Sequence, residues 1–451
     1  MGHGVDKESL EIVLRSGVDA IIAQGTSTDP GPYFLGSGSL LMPEEVLRKD
    51  LEFIIDAAYR TNIPFIASVG GGGSDVHVEK ALKLVDEISR EKNIRLKIAV
   101  ISGEIDKEWL KDKLRRGFKA ERIYEHPRLS KYLTIEDIDR SKIIVAQMGP
   151  EPIMKALDLY FKGEIDGILT GRALDIGLFA ALPLKKGFDI ALTMHMAKIL
   201  ECGALSCEPS SPSDGVLGIL RKDHFLITCP NPKRRATVRS VAAHAFYERV
   251  NPFREENPGG ILDVSNAIYE QVDEKTVKVS GSKWIPTKYT IKLEGVSLIG
   301  YRAISIAGVR DPFFINQLDY ILDKVKQETD KYFSFLPKDS YKIDFKIYGV
   351  NAILRNAELI SHAKPHEICI LIDVIGKTQN IANSVCSFIS SQLSHIGFPG
   401  RKSTAGNIAY PFSPTRYIPV GEVYIFNIWH RLEIEDPYEP FKIKIIEFPR
   451  R

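Results

Sequence analysis

The chain has 451 residues, enough for two or three domains and a sizeable buried core. Apolar residues make up 44%, which marks a globular chain and excludes a disordered one. Lys and Arg number 60 against 58 Asp and Glu, and a net charge of +2 leaves no electrostatic footprint for nucleic acid.

No apolar run is long enough to span a membrane, and the opening Met1-Gly-His-Gly-Val-Asp gives no reason to expect a signal peptide. The five cysteines, Cys202, Cys207, Cys229, Cys369 and Cys386, are odd in number and include no CxxC pair. They argue against a disulfide framework or a zinc knuckle and for a reducing compartment, the cytoplasm.

Strand and helix alternate through the first two hundred residues. A helix at 7–15 precedes an apolar strand at 18–23. A chain of this pattern normally opens on a strand, so a shortened start is expected. Helices follow at 43–60, with Pro43 in the first turn, and at 76–92. Strands are expected at 64–69, 96–101, 142–147 and 166–169. This alternation predicts a mostly parallel, Rossmann-like sheet covered by helices. From 205 to 300, short strands at 215–220, 225–228, 276–280 and 288–293 surround a helix at 237–249, a mixed α/β extension of the first domain. The last 150 residues read as strand 301–308, helix 311–333, strands 341–348 and 367–375, helix 378–395 and strand 422–430. This βαββαβ order predicts a ferredoxin-like α+β domain at 301–451, after an α/β domain at 1–300 with its core at 1–205.

Ligands of open α/β sheets bind beyond the carboxyl ends of the strands. Five turns are expected there, all polar or glycine-rich. The first runs from Gly25 to Gly38 and contains Thr26, Ser27, Thr28 and Asp29; it is long for its place, and long connections are often functional. The second is Gly70, Gly71, Gly72, Gly73, Ser74 and Asp75, where backbone N–H groups could hold an anion, although Ser74 or Asp75 could simply cap a helix. The third holds Glu104. The others hold Gln147 with Glu151, and Arg172 with Asp175. Arg172 could grip a carboxylate or be neutralised by Asp175. Asp29, Asp75 and Asp175 could act as general bases or hold a divalent cation, though no metal-binding spacing is present.

His195, Lys198 and Cys202 fall on one helical face, and His195 is a candidate proton carrier, with a buried core histidine as the alternative. His244 is similar. The loop from Pro399 to Asn407 carries Arg401 and Lys402 among small residues, which suits an anion or a subunit contact.

Several strings resemble the acyclic terpene utilisation AtuA family, in its shorter branch. They are Gly25–Gly38, Gln147-Met-Gly149, Gly171-Arg-Ala-Leu-Asp175, Lys198-Ile-Leu-Glu-Cys-Gly203, Ser240-Val-Ala-Ala-His244, Pro258-Gly-Gly-Ile-Leu-Asp263, Gly308-Val-Arg-Asp-Pro312 and Phe398-Pro-Gly-Arg401. The resemblance implies an α/β domain followed by a ferredoxin-like one, a setting in the breakdown of branched terpenoid acyl-CoA thioesters, and a small companion protein. It implies no particular reaction. Residues and resemblance together lead to an expected lyase or hydratase acting on a small branched carboxylic acid or acyl-CoA. A metal-assisted amide or thioester hydrolase and a non-catalytic scaffold working with the companion are the alternatives. Sheet edges in the last domain suit a homo-oligomer.

Overall fold

The computed structural model describes residues 1, 4, 6–124, 129–360, 365–402 and 406–450. It is a mixed α/β protein with several sheets, parallel and antiparallel, and thirteen α-helices among the described residues. None of the described sheets closes into a barrel. No helix among the described residues is long and apolar enough to cross a membrane. The chain divides into two compact units, Met1–Ser297 with Phe426–Arg451, and Leu298–Ile425.

The first unit is built on a five-stranded sheet. Its order is Ile21–Ala23, Phe65–Ser68, Gly167–Thr170, Leu96–Ile101 and Ile443–Phe448. The first four are parallel and the last is antiparallel to Leu96–Ile101. Phe65–Ser68 and Gly167–Thr170 are buried along their whole length, which explains their unbroken apolar or small-residue sequences. Alternate side chains serve opposite faces. Phe65, Ala67, Ile98, Val100 and Leu169 pack under helices Glu44–Thr61 and Asp75–Glu91. Ile66, Ala99, Ile101 and Ile168 pack against helices Pro150–Phe161 and Asp175–Lys185. The spacing of Leu47, Leu51, Ile54, Ile55 and Ala58 is one helical stripe, and it is buried as that spacing requires.

Three expectations are corrected here. The strand at 142–147, observed as Ile143–Gln147, does not join the parallel sheet; it pairs antiparallel with residues 292–296 of the long strand Thr290–Val309. That long strand replaces two short ones expected at 288–293 and 301–308. Cys207 and Cys229 form a disulfide between buried positions whose Cα atoms are 6.6 Å apart. Their separation of 22 residues matches no recognisable cysteine motif.

Between helix Ile190–Leu200 and residue 290, the unit holds antiparallel strands in two small sheets, ordered Ile268–Gln271, Thr276–Ser280, Phe225–Thr228, Leu217–Leu220 and Lys283–Pro286, Gly260–Asp263, Arg254–Asn257. In the second unit the strand order is Tyr341–Tyr348, Ile368–Gly376, residues 298–309, then residues 418–425 of Ile418–Glu433. Helices Leu318–Tyr332 and Gln379–His395 bury Ile321, Val325, Val385 and Ile389 in its core.

Candidate functional site

The chain leaves Phe65–Ser68 for helix Asp75–Glu91 on one face of the sheet. It leaves the neighbouring strand Gly167–Thr170 for helix Asp175–Lys185 on the other. Adjacent strands that send their chains to opposite faces open a crevice at their carboxyl ends. The turns there are stitched together by backbone. Gly71 N donates to Gly25 O at 2.9 Å, Ser27 N to Gly71 O at 2.9 Å, and Arg172 N to Gly73 O at 2.8 Å. The glycines permit this closeness. A Cβ on Gly73, whose φ is +71°, would lie 2.5 Å from the Arg172 amide nitrogen, and one on Gly103 would lie 2.3 Å from it. Gly70–Gly73 therefore serve close packing, and no anion is needed to explain them.

Arg172 is the centre of this assembly, and it is not available as a free anion receptor. Its side chain keeps 4% of its surface. Nε donates to Glu294 at 2.8 Å, and Nη1 donates to the carbonyls of Thr26 and Ala173, both at 3.0 Å, and to Asp175 at 3.3 Å. Glu294 is wholly buried and also accepts from Thr28 Oγ1 at 3.0 Å, Gln147 Nε2 at 2.9 Å and Lys292 at 3.2 Å. Burial alone would raise the Glu294 carboxyl, but Arg172 and Lys292 pull it down to about 2. Burial likewise opposes the Arg172 charge, yet Glu294 and Asp175 drive its pKa further up. Thr28, Gln147 and Arg172 thus meet as expected, around a glutamate that sequence reasoning missed. Strand alternation gives no warning of Glu294, because this part of Thr290–Val309 is buried on both faces.

The open part of the crevice lies beside this pair. A cavity of about 280 Å³ is lined by the polar turn Gln24–Ser27 with Asp29, by Gly70 and Gly71, and by Leu40, Leu41, Met42 and Leu47. Asp29 is exposed and accepts from Ser27 Oγ at 2.8 Å. Thr26 keeps 1% of its surface, and its hydroxyl has no partner among the described residues. A buried hydroxyl without a partner is uncommon in a finished structure. Asp175 accepts from Gln24 Nε2 at 3.2 Å. Although 34% of its side chain is accessible, burial of the carboxyl still raises its pKa, against Arg172 and Gln24.

His77, also missed, ties the first turn to the second. Its Nδ1 lies 2.7 Å from Ser74 Oγ, and its Nε2 lies 3.0 and 3.1 Å from the carbonyls of Phe34 and Ser39. Two carbonyl acceptors require the proton on Nε2, leaving Nδ1 to accept from Ser74. Ser74 is therefore a helix cap with His77 at the third helical position.

The three aspartates do not gather. Asp75 heads the helix on one face and Asp175 the helix on the other. Asp75 instead shares a neighbouring cavity of about 320 Å³ with Ser102 and Glu104; its N–H donates to Glu104 at 3.0 Å. Burial raises the Glu104 carboxyl. Among the described residues no group of three or more His, Cys, Asp or Glu side chains is placed to hold a metal ion. Glu151 accepts from the Tyr289 hydroxyl at 2.5 Å, and burial raises its pKa.

His195 stands away from the crevice. It is completely buried, 2.8 Å from Ser282 Oγ and 3.1 Å from the Tyr269 hydroxyl, and burial followed by Arg249 lowers its pKa to about 3. It is a neutral core histidine. Arg401, in the second unit, donates to the carbonyls of His395 and Ile396 at the end of helix Gln379–His395, as a C-terminal cap would. Ser403, Thr404 and Ala405 of its loop lie outside the described residues, as do Gly2 and His3.

A family model described as acyclic terpene utilisation family protein AtuA matches residues 43–425. Neither the comparison with curated proteins nor that with solved structures returned a match.

Proposed function

The chain belongs to the acyclic terpene utilisation AtuA family, and from that premise we propose an enzyme of terpenoid breakdown, a lyase or hydratase acting on a small branched carboxylic acid or its CoA thioester. The observation that carries this reading is the two-sided cavity beside Arg172. One wall is the turn Gln24–Ser27 with Asp29, Gly70 and Gly71, behind which the buried Thr26 hydroxyl has no partner among the described residues; the other is Leu40, Leu41, Met42 and Leu47. A molecule with an oxygen-rich head and a short branched tail is complementary to both.

In this reading Thr26 and Ser27 receive the carboxylate or thioester oxygen. Asp175 moves the proton, since burial makes its carboxyl more basic than an ordinary aspartate. Asp29, whose charge adds to the rise of the Asp175 carboxyl, is the second acid–base group. Arg172 and Glu294 position the turns without touching substrate. The second unit is ferredoxin-like in this proposal, supported by its βαββαβ element order and by the order of its strands. In this reading the enzyme works as a homo-oligomer, with a small companion protein as its partner.

The test is turnover by the purified protein on a panel of short branched acids and their CoA thioesters, followed by mass change for loss or gain of water. Asp175→Asn abolishes turnover with the melting temperature kept. Undiminished turnover in the Asp29→Asn, Asp175→Asn double variant sinks the assignment.

A further inference from the structure

The first unit buries a second group of titratable side chains where helix Ile190–Leu200 ends. Lys198 donates to Glu201 at 2.5 Å, lies 3.9 Å from Glu255, and stands 4.6 Å from the centre of the Tyr247 ring. Cys202 Sγ and the Tyr247 hydroxyl are 2.9 Å apart. The His244 ring stacks on Tyr247 with centroids 4.7 Å apart, and Arg249 donates to Glu255 at 3.0 Å.

A purely structural polar network satisfies its own members, because each buried unpaired group costs stability. This network does not close. His244 Nε2 and Arg249 Nε are both buried without a partner among the described residues. His244 keeps 9% of its surface and the Arg249 side chain 2%. Both belong to the segment that forms and follows helix Val238–Phe246, and the Lys198 ammonium adds positive charge close by. The Arg249 Nε–H left over after the bond to Glu255, and His244 Nε2 in the tautomer that carries its proton there, both suit an oxygen acceptor.

We propose that this cluster is a carboxylate-binding acid–base centre, in which Arg249 and His244 receive the carboxylate of a small organic acid and Glu201 exchanges a proton with it. The inference takes its substrate class from the function proposed above. In the step, the Glu201 O–H bond breaks, its electron pair stays on the glutamate oxygen, and the proton bonds to a lone pair of a carboxylate oxygen of the bound acid. Lys198, already on Glu201, stabilises the carboxylate left behind, which recovers its proton from water. The groups around Glu201 suit this task. Burial raises its pKa to about 8 in spite of Lys198, and the carboxylates of Asp175 and Glu255 add to the rise. Cys202 and Tyr247 are both held in their neutral forms by burial.

The experiment is calorimetric titration of the full chain with 3-methylbutanoate at pH 8, in two buffers of unequal ionisation heat. The wild-type protein binds the probe and takes up a fraction of a proton. Glu201→Gln keeps binding and loses the uptake; Arg249→Met weakens binding about tenfold or more, the loss expected for one charge-assisted hydrogen bond. Weakening by Thr26→Val with none by Arg249→Met upholds the crevice and overturns this centre. Weakening by Arg249→Met with none by Thr26→Val does the reverse. Where Arg249→Met fails to fold, the wild-type titration decides, since binding without proton uptake, or no binding, overturns the inference.

Discussion

Two buried cation–glutamate contacts sit in the same unit and behave oppositely. Arg172 holds Glu294 through Nε at 2.8 Å, with Lys292, Thr28 and Gln147 adding donors, and the carboxyl titrates near pH 2. Lys198 meets Glu201 at 2.5 Å, yet that carboxyl is raised. The distance is not the deciding quantity. Glu294 accepts from four side chains, whereas Glu201 has one ammonium and two carboxylate neighbours in a desolvated place. A buried charge is stable when its donors outnumber its like-charged neighbours. The first pair is therefore fixed architecture, and the second is free to change its proton.

The largest expected effect breaks the first pair. Glu294→Gln leaves Arg172 charged and buried and costs about 3–5 kcal/mol in urea unfolding, whereas Arg172→Met with Glu294→Leu recovers most of that loss. Lys198→Met costs only about 1–2 kcal/mol, because Glu201 responds by keeping its proton. Equal losses from the two single variants would erase the distinction between the regions.

Smaller, and shared by both regions, is the effect of pH. His195 and His244 are buried and neutral, with pKa values lowered to about 3 and about 4, by burial first and then by Arg249 and Lys198 respectively. The unfolded chain takes up these protons near the ordinary value of 6.5 and the folded chain does not. This stability is complete above about pH 6.5 and is lost as pH falls toward 4. Glu294 adds a second loss of the same sign, from its unfolded value of 4.5 down to about 2. Glu201, raised to about 8, acts with the opposite sign over the same range, because its folded form keeps a proton that the unfolded chain releases above 4.5. The clean measure is therefore the difference in melting temperature between His195→Gln and wild type, which should move in favour of the variant as pH falls from 7 to 4; a pH-independent difference contradicts a buried, neutral His195.

The same contrast explains what could be read in the sequence. The turns from Gly25 and Gly70 and the pairing of Arg172 with Asp175 were legible, because glycine runs after apolar strands report strand ends. Glu294 was not legible. It lies 122 residues from Arg172, on a strand whose alternation suggests a solvent-facing position. The placement of 143–147 beside 292–296 failed for the same reason, since a buried apolar run fits a parallel or an antiparallel neighbour equally well. Lys198 and Cys202 share a helical face in the sequence and His244 stands apart from them, but Glu201, Tyr247, Arg249 and Glu255 complete the cluster only through tertiary contacts.

The smallest effect is the most diagnostic for the crevice. Thr26 and Val have nearly the same shape, and the Thr26 hydroxyl is buried without a partner among the described residues. Removing an unsatisfied buried group relieves its desolvation, so Thr26→Val should leave stability unchanged or raise it by up to about 1 kcal/mol. If the hydroxyl awaits a ligand oxygen, the same variant loses affinity for the branched acid while gaining or keeping stability, the trade expected of a functional position. Thermal melting without ligand and affinity for the acid, measured on one preparation, check both halves. A destabilised Thr26→Val protein would mean that the hydroxyl already has a structural partner, and the crevice would then lose its strongest mark of a binding site.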